Sequence, residues 1–206
     1  ADGTALWKYP MPGAINDLAA FESTEGTFQI VAGCDDHKMY SVNPDGSENF
    51  TVQPPERTYA RPGYRGVDPF TGRITVVEDT DIEGDGNREI IVGSANWRCY
   101  VYNHDGQLRW DEVCWAHTPT CADACDLDGD GLREVVMGNT YTSAVVYSPT
   151  GEVIGSGGGS GHAGPTDLAC VDTNNNGKGE IIVGDRAGKI WFQEWEGRDL
   201  PTYDTG

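Results

Sequence analysis

An all-β fold is what this sequence predicts, and three observations carry the prediction. The chain has 206 residues with 28 Gly and 11 Pro, a composition suited to many turns between short strands. Its apolar residues fall in brief runs, such as Ile74-Thr75-Val76-Val77 and Ile190-Trp191-Phe192, too short for ordinary helices. An acidic, glycine-bearing loop recurs at a nearly constant interval.

The recurrence sets the architecture. Asp81-Ile82-Glu83-Gly84-Asp85-Gly86, Asp126-Leu127-Asp128-Gly129-Asp130-Gly131 and Asp172-Thr173-Asn174-Asn175-Asn176-Gly177 superpose. Each is followed by a Glu three residues later and then by an apolar run ending in Gly. The first Asp residues stand 45 and 46 positions apart, the length that four short strands and their turns need in one blade of a β-propeller. A fourth, decayed copy lies upstream, where Glu25 to Gly33 matches Asp85 to Gly93 but Phe21 and Ser23 replace the acidic residues. In every copy an apolar run precedes the loop and a second follows it. A third is aromatic, as at Tyr100-Val101-Tyr102, and a Gly-containing turn leads to a fourth. The expected organisation is a single propeller domain over residues 1–206. Its parts are a degenerate blade at 14–53, blades at 73–115, 116–156 and 163–206, and an outer closing strand at 1–13.

That closing strand follows from Ala1 to Lys8, which matches the turn and outermost strand at His104 to Trp110. The expectation adopted is a ring of four blades in which this strand completes the last blade and removes two sheet edges. Arg198 to Thr205 could serve as the same strand. The alternatives are then a displaced tail, a piece of a larger propeller, or a strand lent to the next subunit. Pro54 to Gly72 and Gly155 to Gly164 read as long connections between blades.

The acidic loops have the chemistry of cation sites. In Asp126 to Glu134, carboxylates at positions one, three and five (Asp126, Asp128, Asp130) converge across a bend that Gly131 permits. The carbonyl of Leu132 at seven supplies another oxygen, and Glu134 at nine closes the shell. The corresponding ligands are Asp81, Glu83, Asp85, the carbonyl of Asn87 and Glu89 in the loop before it. In the loop after it they are Asp172, Asn174, Asn176, the carbonyl of Lys178 and Glu180. Oxygen donors without His or Cys suit calcium over zinc or copper, and about three ions are expected. An EF-hand would need its Glu at position twelve and flanking helices. The last loop, with two amides in place of carboxylates, is expected to bind most weakly.

These loops and their spacing resemble the FG-GAP and VCBS repeats of integrin α-subunit propellers and of many secreted bacterial and algal proteins. The resemblance implies a propeller of the extracellular space with calcium between the first two strands of a blade. It also implies an adhesive or structural role. The sequence departs from that pattern in closing its loops with Glu89, Glu134 and Glu180, in Glu83, and in the amides Asn174 and Asn176. Seven blades are usual in the family, and four are expected here.

Other features bound the function. A formal charge of −19 opposes nucleic-acid binding, and no run approaches the length of a membrane span. Partners are therefore expected among glycans, extracellular proteins or further copies of the chain, in a secreted setting. Six cysteines, at 34, 99, 114, 121, 125 and 170, form no CxxC pair and allow disulfides or buried thiols. Cys114 and Cys121 are placed to staple the loop between them. Asn49-Phe50-Thr51 is a glycosylation sequon. Of six Trp residues, Trp97 and Trp115 stand nearest loops and are the candidates for stacking on a sugar. His37, His104, His117 and His162 show no convergent spacing with Asp35, Asp36 or Asp123, so no catalytic set is assigned.

Overall fold

The structure is a computed structural model that describes residues 3–22, 26–57, 72–115, 117–157 and 163–197. Among these there is no helix, and none is therefore long and apolar enough to cross a membrane. Fifteen strands form four antiparallel meander sheets. The first blade holds β1 (Ile15–Glu22), β2 (Phe28–Cys34), β3 (Met39–Val42) and β4 (Glu48–Val52). The second holds β5 (Ile74–Thr80), β6 (Glu89–Ser94), β7 (Arg98–Asn103) and β8 (Leu108–Val113). β9 (Pro119–Cys125), β10 (Glu134–Asn139), β11 (Ala144–Tyr147) and β12 (Val153–Gly157) form the third. The last comprises β13 (Pro165–Val171), β14 (Glu180–Asp185) and β15 (Ile190–Glu194), three strands among the described residues.

Both faces of a middle blade are buried, which explains why β6 and β10 carry unbroken apolar runs, Ile90 to Val92 and Val135 to Met137, and do not alternate. Three separate cores result, one at each junction. Ala19, Met39, Ile74 and Tyr100 lie in the first, between blades one and two. Val76, Ile91, Val101, Met137 and Tyr147 lie in the second, and Val136, Val146, Ile181 and Val183 in the third. The innermost strands pack in sequence, β1 on β5, β5 on β9 and β9 on β13.

A repeated polar staple reinforces those contacts. Asn16 Nδ2 donates to the Ile74 carbonyl at 2.8 Å, Thr75 Oγ1 to that of Pro119 at 3.0 Å, and Thr120 Oγ1 to that of Pro165 at 2.7 Å. Each satisfies an acceptor on the unpaired edge of an inner strand. Thr166, the same position in the last blade, turns back to the Gly184 carbonyl of its own sheet.

The expected closure of the ring is not seen among the described residues. No comparable packing joins β13 to β1, and residues 3–14 form no strand. They lie instead against the outer side of blade one. Trp7 Nε1 donates to the Pro44 carbonyl at 2.7 Å with its indole over Gly46, and the Tyr9 hydroxyl donates to Glu48. Trp110 makes the same contact two blades on, donating to the Pro149 carbonyl of blade three at 3.0 Å with its ring over Gly151. Relative to blade one, then, Trp7 stands where the outer strand of a preceding blade would place it. The alternative closing strand at Arg198 to Thr205 lies outside the described residues.

The two ends of the array are open. Ile190 and Phe192 are 81% and 58% exposed, although Cys99 and Val101, which occupy the same positions in blade two, are fully buried against blade three. Leu18 is 58% exposed where its counterpart Val77 is 1%.

The inner strands also bring carboxylates together. Glu78 is half-buried, and its pKa rises from 4.5 to about 7, first through burial and then through Asp123, Asp79, Asp17 and Asp167. The folded chain therefore holds this proton more tightly than the unfolded one. The stability tied to it is complete below about pH 4.5 and lost as pH rises through 7. Glu78→Gln is expected to raise stability at pH 8 by about 1–2 kcal/mol, solvent screening having halved the full linkage, and to change little at pH 4.5. Thermal melts at the two pH values check this, and a pH-independent offset would refute it.

Candidate metal centres

The three acidic loops join the first and second strands of blades two, three and four, and share one backbone. Positions four and six are left-handed in each: Gly84 and Gly86, Gly129 and Gly131, Asn175 and Gly177. Glycine dominates there because a side chain at positive φ is strained, and Asn is among the residues that tolerate it best. The first Asp organises the turn. Asp81 accepts the amides of Asp85 and Gly86, Asp126 those of Gly129, Asp130 and Gly131, and Asp172 those of Asn176 and Gly177. The side chain at position five accepts the amide at seven, from Asn87, Leu132 and Lys178, each at 2.8 Å.

The closing Glu is buried in every loop, with Glu89, Glu134 and Glu180 no more than 3% exposed. One oxygen accepts the amide at position two, from Ile82 at 2.9 Å, Leu127 at 2.8 Å and Thr173 at 2.7 Å. The loops differ in what meets the other oxygen. Arg109 Nη1 lies 2.8 Å from Glu89 Oε1, and the same guanidinium grips both oxygens of Glu83. Asn174 Nδ2 donates to Glu180 Oε1 at 2.5 Å. Among the described residues no side-chain donor reaches Glu134. Its pKa is pushed up to about 7, first by burial and then by the charges of Asp128 and Asp130.

Of the predicted ligand sets, the structure therefore gathers the three aspartates of one. Oxygens of Asp126, Asp128 and Asp130 all lie within 4.8 Å of one another, beside the buried Glu134. A hard divalent cation fits that donor set, since it would offset four mutually repelling carboxylates and has no softer ligand to compete for it. In the 81–89 loop Arg109 engages Glu83 and Glu89, and in the 172–180 loop two amides, Asn174 and Asn176, stand in for carboxylates. The loops also abut: the Arg133 amide donates to the Ile82 carbonyl at 2.9 Å and the Gly179 amide to the Asp126 carbonyl at 2.6 Å.

Arg109 is the residue that sequence reasoning missed. Comparing fourth strands in register would have found it, because Asn49 and Ile154 occupy its position in blades one and three. The other predicted positions separate. Trp115 is partly buried against the core between blades two and three, and Trp97 is half-buried in the tight turn between β6 and β7 with φ 68°. Asn49 is exposed on β4, with Nδ2 3.3 Å from Ser41 Oγ.

The cysteines correct one expectation. Cys125 and Cys170 form a disulfide between the inner strands of blades three and four. Cys114 and Cys121, expected as a staple, are free and buried, as are Cys34 and Cys99. Cys114 lies at the end of an outer strand beside Tyr147 and Asn139, whereas Cys121 sits on an inner strand opposite Gly138. Burial pushes their thiols up to about 12 and about 11, so neither is a ready nucleophile.

No protein-family model matches the chain, and no curated protein matches it. Solved structures do. The computationally designed Ika4 protein is 15% identical with a TM-score of 0.65, over 93% of this chain and 98% of its own. BBS1N, solved in complex with ARL6DN, is 13% identical with a TM-score of 0.63, over 93% of this chain and 55% of its own. This chain thus spans about half of BBS1N, and the likeness shows the fold: a β-propeller architecture of four-stranded blades.

Proposed function

We propose that the chain is a calcium-stabilised structural and adhesive propeller module of the extracellular space, joined to further copies of itself through its end blades. The observation that carries this reading is the pair of open ends. The face closed at three junctions is bare at Ile190 and Phe192 on one side and Leu18 on the other. The last sheet has three described strands, and residues 3–14 lie where a preceding blade's outer strand would lie. The segment of one copy completing the last sheet of the next would satisfy both ends by strand addition. Because that contact does not close on itself, it would propagate into a filament.

Calcium, when bound, supplies positive charge among the carboxylates of the acidic loops. The chain's part is to hold Asp126, Asp128 and Asp130 converged before the ion arrives, with the turn already fixed by backbone amides. The disulfide supports an oxidising compartment, where millimolar calcium sites also operate.

Light scattering and negative-stain imaging in calcium test the reading. Polymers are expected at high concentration. Gly184→Val, on the open face where an added Cβ meets nothing nearer than 3.8 Å, should abolish them while leaving the monomer's melting temperature in place. A strictly monomeric chain in calcium would overturn the assembly.

A further inference from the structure

We infer that Arg109 is the resident cation of the 81–89 loop, so that this loop accepts a divalent ion only when the guanidinium is displaced. The inference rests on the calcium reading above and concerns how this chain's loops are made unequal. Arg109 lies on β8, the outer strand of blade two, and is three-quarters buried. Its two terminal nitrogens pair with Glu83, and one of them also meets Glu89 at 2.8 Å. Glu83 and Glu89 are the third- and ninth-position ligands of that loop. A planar guanidinium, always charged and suited to carboxylate pairs, offsets there the charge that an ion would offset. The pocket formed by Glu83, Asp85, Asn87, Glu89 and Arg109 is therefore already neutralised in part.

The neighbouring blade provides the comparison. Ile154 stands in β12 where Arg109 stands in β8, and among the described residues no salt bridge reaches the three converging aspartates of that blade. Ranked by ligand charge alone, the 81–89 and 126–134 loops are equals, each with four carboxylates. Arg109 separates them. The 126–134 loop is left as the high-affinity site, and the 81–89 loop becomes one that keeps its shape without metal. An ion entering it must break a forked ion pair and leave the guanidinium to find solvent.

Calcium titration of the full chain by calorimetry and equilibrium dialysis, compared with Arg109→Ile, tests the inference. The variant should bind one more tight ion than the parent, with at least tenfold higher affinity at the added site. In chelator it should melt lower, because Glu89 loses its partner, and calcium should restore the loss. Arg109→Gln, which keeps polarity without charge, should show the same extra ion and guards against a folding defect of the isoleucine. Equal stoichiometry and affinity in all three proteins, with binding still abolished by Asp128→Asn combined with Asp130→Asn, would overturn the role of Arg109 and leave the calcium reading standing. Absence of binding to parent and variants alike at millimolar calcium would remove both.

Discussion

Gly93→Ala should cost about 3 kcal/mol and lower the melting temperature by roughly 5–10 °C, while Gly184→Ala should leave the monomer nearly unchanged. The two glycines hold the same place in their blades, second strand opposite the inner one, as do Gly33 and Gly138. What differs is the presence of a following blade. A Cβ on Gly93 would lie 2.5 Å from Cβ of Pro119 and 2.9 Å from that of Val76. On Gly33 it would lie 2.4 Å from Ile74, and on Gly138 2.8 Å from Pro165. Pro119 has little room to retreat, since its carbonyl accepts the Thr75 hydroxyl and its strand is packed from both sides. Rigid interiors transmit such a clash as strain. On Gly184 the nearest atom is 3.8 Å away. Comparable losses in the two variants would mean that the glycines serve local backbone geometry, and the junction account would fail.

Removal of calcium should produce the other large change. At 100-fold excess over its dissociation constant, an ion bound only by the folded chain adds about 2.7 kcal/mol, which for a chain of this size is roughly 5–10 °C per occupied loop. Chelation is expected to lower the melting temperature by at least that amount for the 126–134 loop. Asp128→Asn should remove most of the response with little effect in chelator, because Asp128 accepts a single backbone amide, from Asp130. Asp126→Ala should be costly in both conditions, since Asp126 accepts three amides and holds the turn itself. Identical melting curves with and without calcium would end the metal reading.

Much of the fold was legible in the sequence because a blade is a local object. Four strands in meander order, with turns at Asp105-Gly106 and loops at Asp81, Asp126 and Asp172, depend on residues close along the chain, and their spacing repeats. Junction properties were less legible. The Cys125–Cys170 bridge pairs residues 45 apart, one fewer than the 46 between the loops that follow them, so it reflects a stagger between adjacent blades that no single repeat displays. The grip of Arg109 on Glu83 and Glu89 likewise spans a blade from its outer strand to its first loop. Whether Trp7 completes a distant blade or lies against its nearest one depends on the geometry of the entire array.

The disulfide gives that array a mechanical polarity. The inner strand of blade four, β13, is exposed over most of its length and its sheet has three described strands, so under tension that sheet depends on its junction with blade three. A covalent tie to blade three carries the load past that interface. A pulled chain would then yield toward its amino-terminal junctions, where the blades are joined by packing and by hydrogen bonds such as those of Asn16, Thr75 and Trp110, with no disulfide among the described residues. Stiffness is thus graded along the molecule, anchored at one end and compliant at the other.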